Sequence, residues 1–171
     1  MKKLLLLVLA FSTMAFSTTN EPIIKWTPTK KLKISDFNQS LTPLPNGATA
    51  ITYSGMFMER DNTRPCGWRS YGVFDKSQSV WYVYGQSQFK ELILQHEQLH
   101  FDITNYMSMQ LDKELKSFTY TLDQNTLDNL YNQYRGRLDS MQVWYDKSSD
   151  HSRDSLSQSR WNRYVDSLLR K

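Results

Sequence analysis

The chain has 171 residues, with 21 Lys and Arg against 17 Asp and Glu, and a single cysteine. This length fits one domain with one core. A net charge of +4 without any Lys/Arg cluster argues against a nucleic-acid partner. One cysteine excludes an internal disulfide, so stability must come from packing, bound metal or both. We expect Cys66 to be a passive, partly buried thiol.

Residues 1–17 have the pattern of a signal peptide. Two lysines precede an uncharged apolar core from Leu4 to Phe11, and Ala15-Phe16-Ser17 has the spacing of a cleavage site. The core is shorter than the roughly 20 residues of a membrane span. We therefore expect a secreted or periplasmic protein with no stable membrane insertion after cleavage and one mature domain, 18–171. The alternative is an N-terminal membrane anchor.

The first half of the mature chain, from Ile23 to Tyr84, has short apolar and aromatic runs interrupted by Pro and Gly. Such runs predict strands in a small, mainly antiparallel sheet. The strand candidates are Ile23–Trp26, Lys31–Ile34, Ala48–Met58 (with Ile51, Tyr53 and Phe57 on one face), Tyr71–Phe74 and Val80–Tyr84.

From Ser87 onward the pattern becomes helical, with apolar residues three and four apart. We predict three helices, beginning near Ser87, near Asp123, and near Asp150 or Ser152. The apolar stripe of the first contains Phe89, Leu92, Ile93, Ile103, Met107, Leu111 and Leu115. The predicted fold class is therefore α+β, a small sheet followed by three helices.

The first predicted helix contains the sequence His96-Glu97-Gln98-Leu99-His100, an H-E-x-x-H motif. Residues four apart lie on one face of a helix, so His96 and His100 can hold one zinc ion together. Glu97 is offset around the helix and can instead act as general base toward a water molecule. The remaining alternative is a pair of hydrogen-bonded core histidines.

A catalytic zinc site normally has a third protein ligand. Ile103 and Tyr106 stand where the metzincin extension requires Gly and His, which excludes that class. Glu114, the only later glutamate, would lie about 21 Å along the same helix. His151 is the only other histidine and falls at the predicted junction of the second and third helices, with Asp146 and Asp150 as rival ligands.

Several blocks together resemble a bacterial family of exported domains described as predicted secreted zinc-dependent proteases. The matching segments are Trp26, Lys31-Leu32, Ser35-Asp36-Phe37, Ala48 to Ser54, His96 to Ile103, Tyr145-Asp146, His151, Gln158 and Trp161. The family pattern has Thr and Gly at the positions of Ser149 and Ser152. The resemblance implies a zincin-like fold and a protease, and it favours His151 as third ligand.

The resulting hypothesis is a zinc metalloprotease acting on a peptide or protein substrate. His96, His100 and His151 would bind Zn²⁺, with water at the fourth position and Glu97 as general base. Tyr145 is the preferred electrophile for the oxyanion, with Tyr106 and Arg153 as alternatives.

Two other functions stay open. The chain could be a non-catalytic binding module with a structural or vestigial zinc site, which a fourth protein ligand would indicate. It could also hydrolyse an amide or ester in a non-peptide substrate, since the metal chemistry would be the same.

Overall fold

The computed structural model describes residues 22–85 and 87–170, and the predicted signal peptide lies outside this part. Three helices follow six short strands, which confirms the α+β class. The strands are β1 Ile23–Lys25, β2 Asn38–Ser40, β3 Ala50–Ile51, β4 Ser54–Arg60, β5 Trp68–Asp75 and β6 Val80–Tyr82. The helices are α1 Lys90–Ser117, α2 Gln124–Ser148 and α3 Ser155–Leu169. Short 3₁₀ turns cover Ile34–Asp36, Pro45–Gly47 and Ser87–Phe89.

The strands form two sheets, whereas the sequence predicted one. The first is antiparallel with the order β1-β5-β4, and the second has the order β2-β6-β3 with β2 and β6 parallel. The predicted strand 48–58 is divided between them, because β3 pairs with β6 and β4 pairs with β5. Ile51, Tyr53 and Phe57, which were predicted to share one face, are all exposed, and the buried residues of this segment are Ala50 and Met56.

The predicted strand Lys31–Ile34 is not a strand. The amide of Leu32 donates to the side-chain oxygen of Gln98 at 2.7 Å, and the amide of Lys33 donates to Asp36 at 2.9 Å. Because side-chain oxygens accept the hydrogen bonds of these backbone amides, the segment does not pair with a neighbouring strand. It leads into a 3₁₀ turn instead.

The three predicted helices are confirmed, although two of them begin later than expected. Helix α1 begins at Lys90, and α2 is capped by Asp123, which accepts from the Thr126 amide at 3.0 Å. Helix α3 is capped by Asp154. It cannot begin at 150–152, because those three residues have φ values of 47°, 50° and 74°.

Helix α1 is the centre of the fold, with β5 on one side and α2 and α3 on the other. Its apolar residues are divided between two cores, and the larger includes Ile103, Leu111 and the buried Cys66. Polar contacts also bind α1 to the first half of the chain. Trp26 donates to Asp102 at 2.6 Å. None of the helices in the described part is both long and apolar enough to cross a bilayer.

Strand β5 crosses α1 at very short range. A Cβ on Gly72 would lie 2.8 Å from the Cα of Asn105, so only glycine fits there. The amide of Gly72 also donates to the Asn105 side chain at 3.3 Å.

We therefore predict that Gly72→Ala destabilises the protein by about 1–3 kcal/mol, because the added methyl must displace the α1 backbone. The matched control is Gly55→Ala on β4, where a Cβ meets nothing within 4 Å. Gly55→Ala should change stability by less than about 0.5 kcal/mol. Urea unfolding in the presence of a chelator measures both. Equal effects would show that the crossing is not sterically limited.

Candidate metal centre

Helices α1 and α2 run antiparallel and bring two polar pairs face to face. His96 and His100 are one turn apart on α1, and Gln142 and Asp146 are one turn apart on α2. Asp146 lies opposite His96, and Gln142 lies opposite His100. The return of the second helix to the motif is thus as predicted.

Three side-chain atoms form a compact triangle at this contact. The Nε2 atoms of His96 and His100 are 3.1 Å apart. Oδ1 of Asp146 lies 3.1 Å from the first and 2.9 Å from the second. Among the described residues, these three are the group of His, Cys, Asp and Glu side chains that could hold a metal ion.

The protein environment keeps this carboxylate ionised. Burial opposes the charge on Asp146, but hydrogen bonds from His100 and His96 outweigh it and hold the Asp146 pKa well below its usual range. Burial likewise disfavours a charged His100, yet the hydrogen bond to Asp146 and the nearby charge of Glu97 raise its pKa. The triangle is therefore an anionic site that attracts a cation, whether a proton or a metal.

The donor set fits a zinc ion. Ligands arranged tetrahedrally at 2.0–2.1 Å from zinc lie about 3.3 Å from each other. The edges of the triangle, 2.9 to 3.1 Å, come close to that spacing. Two imidazoles and one carboxylate are also common zinc ligands. His96 is nearly buried, so little water competes for its ring.

Glu97 stands out among the polar side chains around this site. It is 5% exposed, and no hydrogen bond or ion pair to its carboxylate is found within residues 22–85 and 87–170. A buried carboxylate normally has such partners. Glu97 lies instead on the wall of an open cleft, where water and ligands can reach it.

The cleft has a volume of about 560 Å³ and joins three parts of the chain. Helix α1 and Asp146 form one wall, the segment 45–52 that includes β3 forms the second, and the junction 151–153 forms the third. His96, Glu97 and His100 all line it. A ligand in the cleft would thus meet both the triangle and the free carboxylate.

His151, the predicted third ligand, lines the same cleft but lies outside the triangle. Its side chain is 66% exposed, and its Nδ1 is 3.9 Å from Asp146 Oδ1. The turn that carries it is left-handed from Asp150 to Ser152. Ser152 has a φ of 74°, a conformation that glycine adopts more readily. Ligation by His151 stays a prediction.

Tyr145, the predicted electrophile, packs behind the histidines. It is fully buried, and its ring stacks on His96 with centroids 4.5 Å apart. Its hydroxyl points to the His96 carbonyl oxygen at 3.5 Å. Burial raises the pKa of this phenol. Of the three side chains predicted as possible electrophiles for the oxyanion, only Arg153 lines the cleft. The third, Tyr106, packs against the larger core.

Sequence reasoning named Asp146 only as a rival ligand and missed Gln142. Both lie on one face of α2, spaced by four residues as the histidines are. That spacing on the second predicted helix was the available signal. It becomes informative only once the residues of α2 that face the motif are known.

Comparisons with protein-family models, curated proteins and solved structures find no match to this chain.

We predict that the Tyr145 ring, more than its hydroxyl, stabilises the site. Tyr145→Phe should cost less than about 1 kcal/mol, because it removes only a long hydrogen bond. Tyr145→Ala should cost about 3–5 kcal/mol, because it leaves a cavity beside His96. Urea unfolding of the metal-free protein gives both values. A Phe variant as unstable as the Ala variant would contradict this assignment.

Proposed function

We propose that this protein is an exported zinc-dependent hydrolase, a zincin-like metalloprotease, with His96, His100 and Asp146 as the zinc ligands. The observation that carries the proposal is the free carboxylate of Glu97. It lies next to a triangle of zinc-ligand atoms and lines an open cleft. This combination favours chemistry over a purely structural role.

Each residue has a defined task in the proposal. A zinc ion at the triangle would act as a Lewis acid and lower the pKa of a bound water to about 7. The Glu97 carboxylate takes a proton from the attacking water and delivers it to the leaving nitrogen of the scissile amide. Arg153, at the rim, is the candidate to stabilise the oxyanion.

The chief alternative is a binding module with a closed zinc site. It requires a fourth protein ligand, and the candidate is His151, which lines the same cleft. The His151 side chain is 66% exposed and stands outside the group of side chains that could hold a metal ion, which favours an open site. The cleft beside Glu97 offers room for a substrate, which a closed structural site does not need.

The ligand assignment is tested by the zinc content of purified variants. We expect one zinc per chain in the wild type, a loss of most of the bound zinc in Asp146→Asn, and retention of zinc in His151→Ala. Asp139→Asn, at an exposed aspartate on the same helix as Asp146, is the control. Elemental mass spectrometry after dialysis measures the metal.

The other outcomes of this experiment are equally decisive. Loss of zinc in His151→Ala alone would favour three histidine ligands. Loss in both variants would indicate a closed site and the binding module. A wild type that binds no zinc would refute the proposed hydrolase.

The role of Glu97 is tested by Glu97→Gln, which keeps the shape of the side chain but cannot accept the proton. We expect bound zinc to be unchanged and hydrolysis of an unfolded, dye-labelled protein to fall by at least about 10²-fold. Glu91→Gln, an exposed glutamate in the first turn of α1, should retain full activity. Undiminished hydrolysis by Glu97→Gln would remove this residue from the mechanism.

A further inference from the structure

Gln142 makes a set of contacts that the proposed hydrolysis does not use. Its Oε1 contacts Nδ1 of His100 on the side of the ring away from the triangle. Its Nε2 donates to the His100 carbonyl oxygen at 3.0 Å and to the Thr104 hydroxyl at 3.1 Å. All the polar atoms of this side chain therefore contact one short stretch of α1.

The orientation of the Gln142 amide follows from chemistry. A carbonyl oxygen can only accept, so the atom of Gln142 that faces the His100 carbonyl must be the NH₂ group. The reverse orientation would place two acceptors against each other. Thr104 agrees with this, because its hydroxyl donates to the same carbonyl at 2.9 Å and leaves its oxygen to accept from Gln142.

With the amide fixed, the tautomer of the facing ring is fixed as well. Oε1 of Gln142 is an acceptor, so Nδ1 of His100 must carry a hydrogen. While the His100 ring is charged, both of its nitrogens carry hydrogens, and Nε2 donates to the Asp146 carboxylate at 2.9 Å. When the ring is neutral, His96 supplies the hydrogen that Asp146 accepts, from its own Nε2 at 3.1 Å. Nε2 of His100 is then left with a lone pair that points to the triangle.

We propose that Gln142 is a positioning residue that holds His100 as the Nδ1–H tautomer, with Nε2 free to bind a metal. The function given to this tautomer rests on the proposed zinc site. The tautomer itself can be measured in the metal-free chain. Partners of this kind orient metal-binding histidines and raise their basicity.

His96 differs from His100 in this respect. Its Nδ1 is buried and has no hydrogen-bond partner among the described residues. Stacking on Tyr145 orients the His96 ring instead. A change at Gln142 should therefore alter His100 and leave His96 as an internal reference.

The test uses three variants and two measurements. Gln142→Met keeps the length of the side chain and removes its polar atoms. Gln142→Glu keeps an oxygen facing Nδ1 but loses the N–H bonds to the His100 carbonyl oxygen and the Thr104 hydroxyl, which separates the two kinds of contact. Gln133→Met, on an exposed part of the same helix, is the matched control. Long-range ¹H–¹⁵N correlation spectra of the metal-free protein, recorded where the rings are neutral, report the tautomers of the three histidines. Competition with a chelator gives the zinc affinity.

We expect the Nδ1–H form of His100 in the wild type, in Gln133→Met and in Gln142→Glu. In Gln142→Met this preference should be lost and zinc should bind about 10–100-fold more weakly. An Nε2–H ring in the wild type, or an unchanged tautomer in Gln142→Met, would overturn the inference. If Gln142→Met does not fold, the wild-type and Gln142→Glu spectra decide. A wild type that binds no zinc refutes the hydrolase, while the spectra still test Gln142.

Discussion

The burial of α1 on nearly all sides is the constraint on which the rest of the structure depends. Strand β5 crosses it so closely that Gly72 has no room for a side chain, and α2 packs on another side. Between His96 and Ser108 most residues of the helix are buried, including seven with polar or charged side chains. A buried polar group without a partner is costly, so each of these side chains needs a specific contact from another element or from its own helix.

These requirements explain why so many contacts of the fold converge on one helix. Gln98 accepts from the Leu32 amide, Asp102 accepts from Trp26, and Thr104 shares a hydrogen bond with Ser54. The histidines contact α2. Glu97 is the exception, because no partner is found for it in the described part of the chain and it opens to the cleft instead. A carboxylate that faces a cleft with no protein partner is free to contact a ligand there, and a role in proton transfer would account for its presence.

Features that depend on local spacing could be predicted from the sequence, and features that depend on distant contacts could not. The three helices and the shared face of His96 and His100 follow from a repeat of three to four residues. The end of β3 and the absence of a strand at 31–34 depend on partners that lie far away along the chain. The late start of α3 depends on left-handed backbone at positions where no glycine signals it.

Predicting Asp146 as the third corner of the triangle would have required the register between α1 and α2. The apolar periodicity of each helix does not contain this information. A shift of α2 by four residues, about 6 Å, would move Asp146 beyond the histidine pair and place Gln142 against His96. The site would then lose its carboxylate. At the opposite end of the same helix pair, Tyr134 donates to Glu114 at 2.6 Å, a contact that only the observed register allows. The candidate metal centre therefore depends on packing about 21 Å along α1 from the motif as much as on the motif itself.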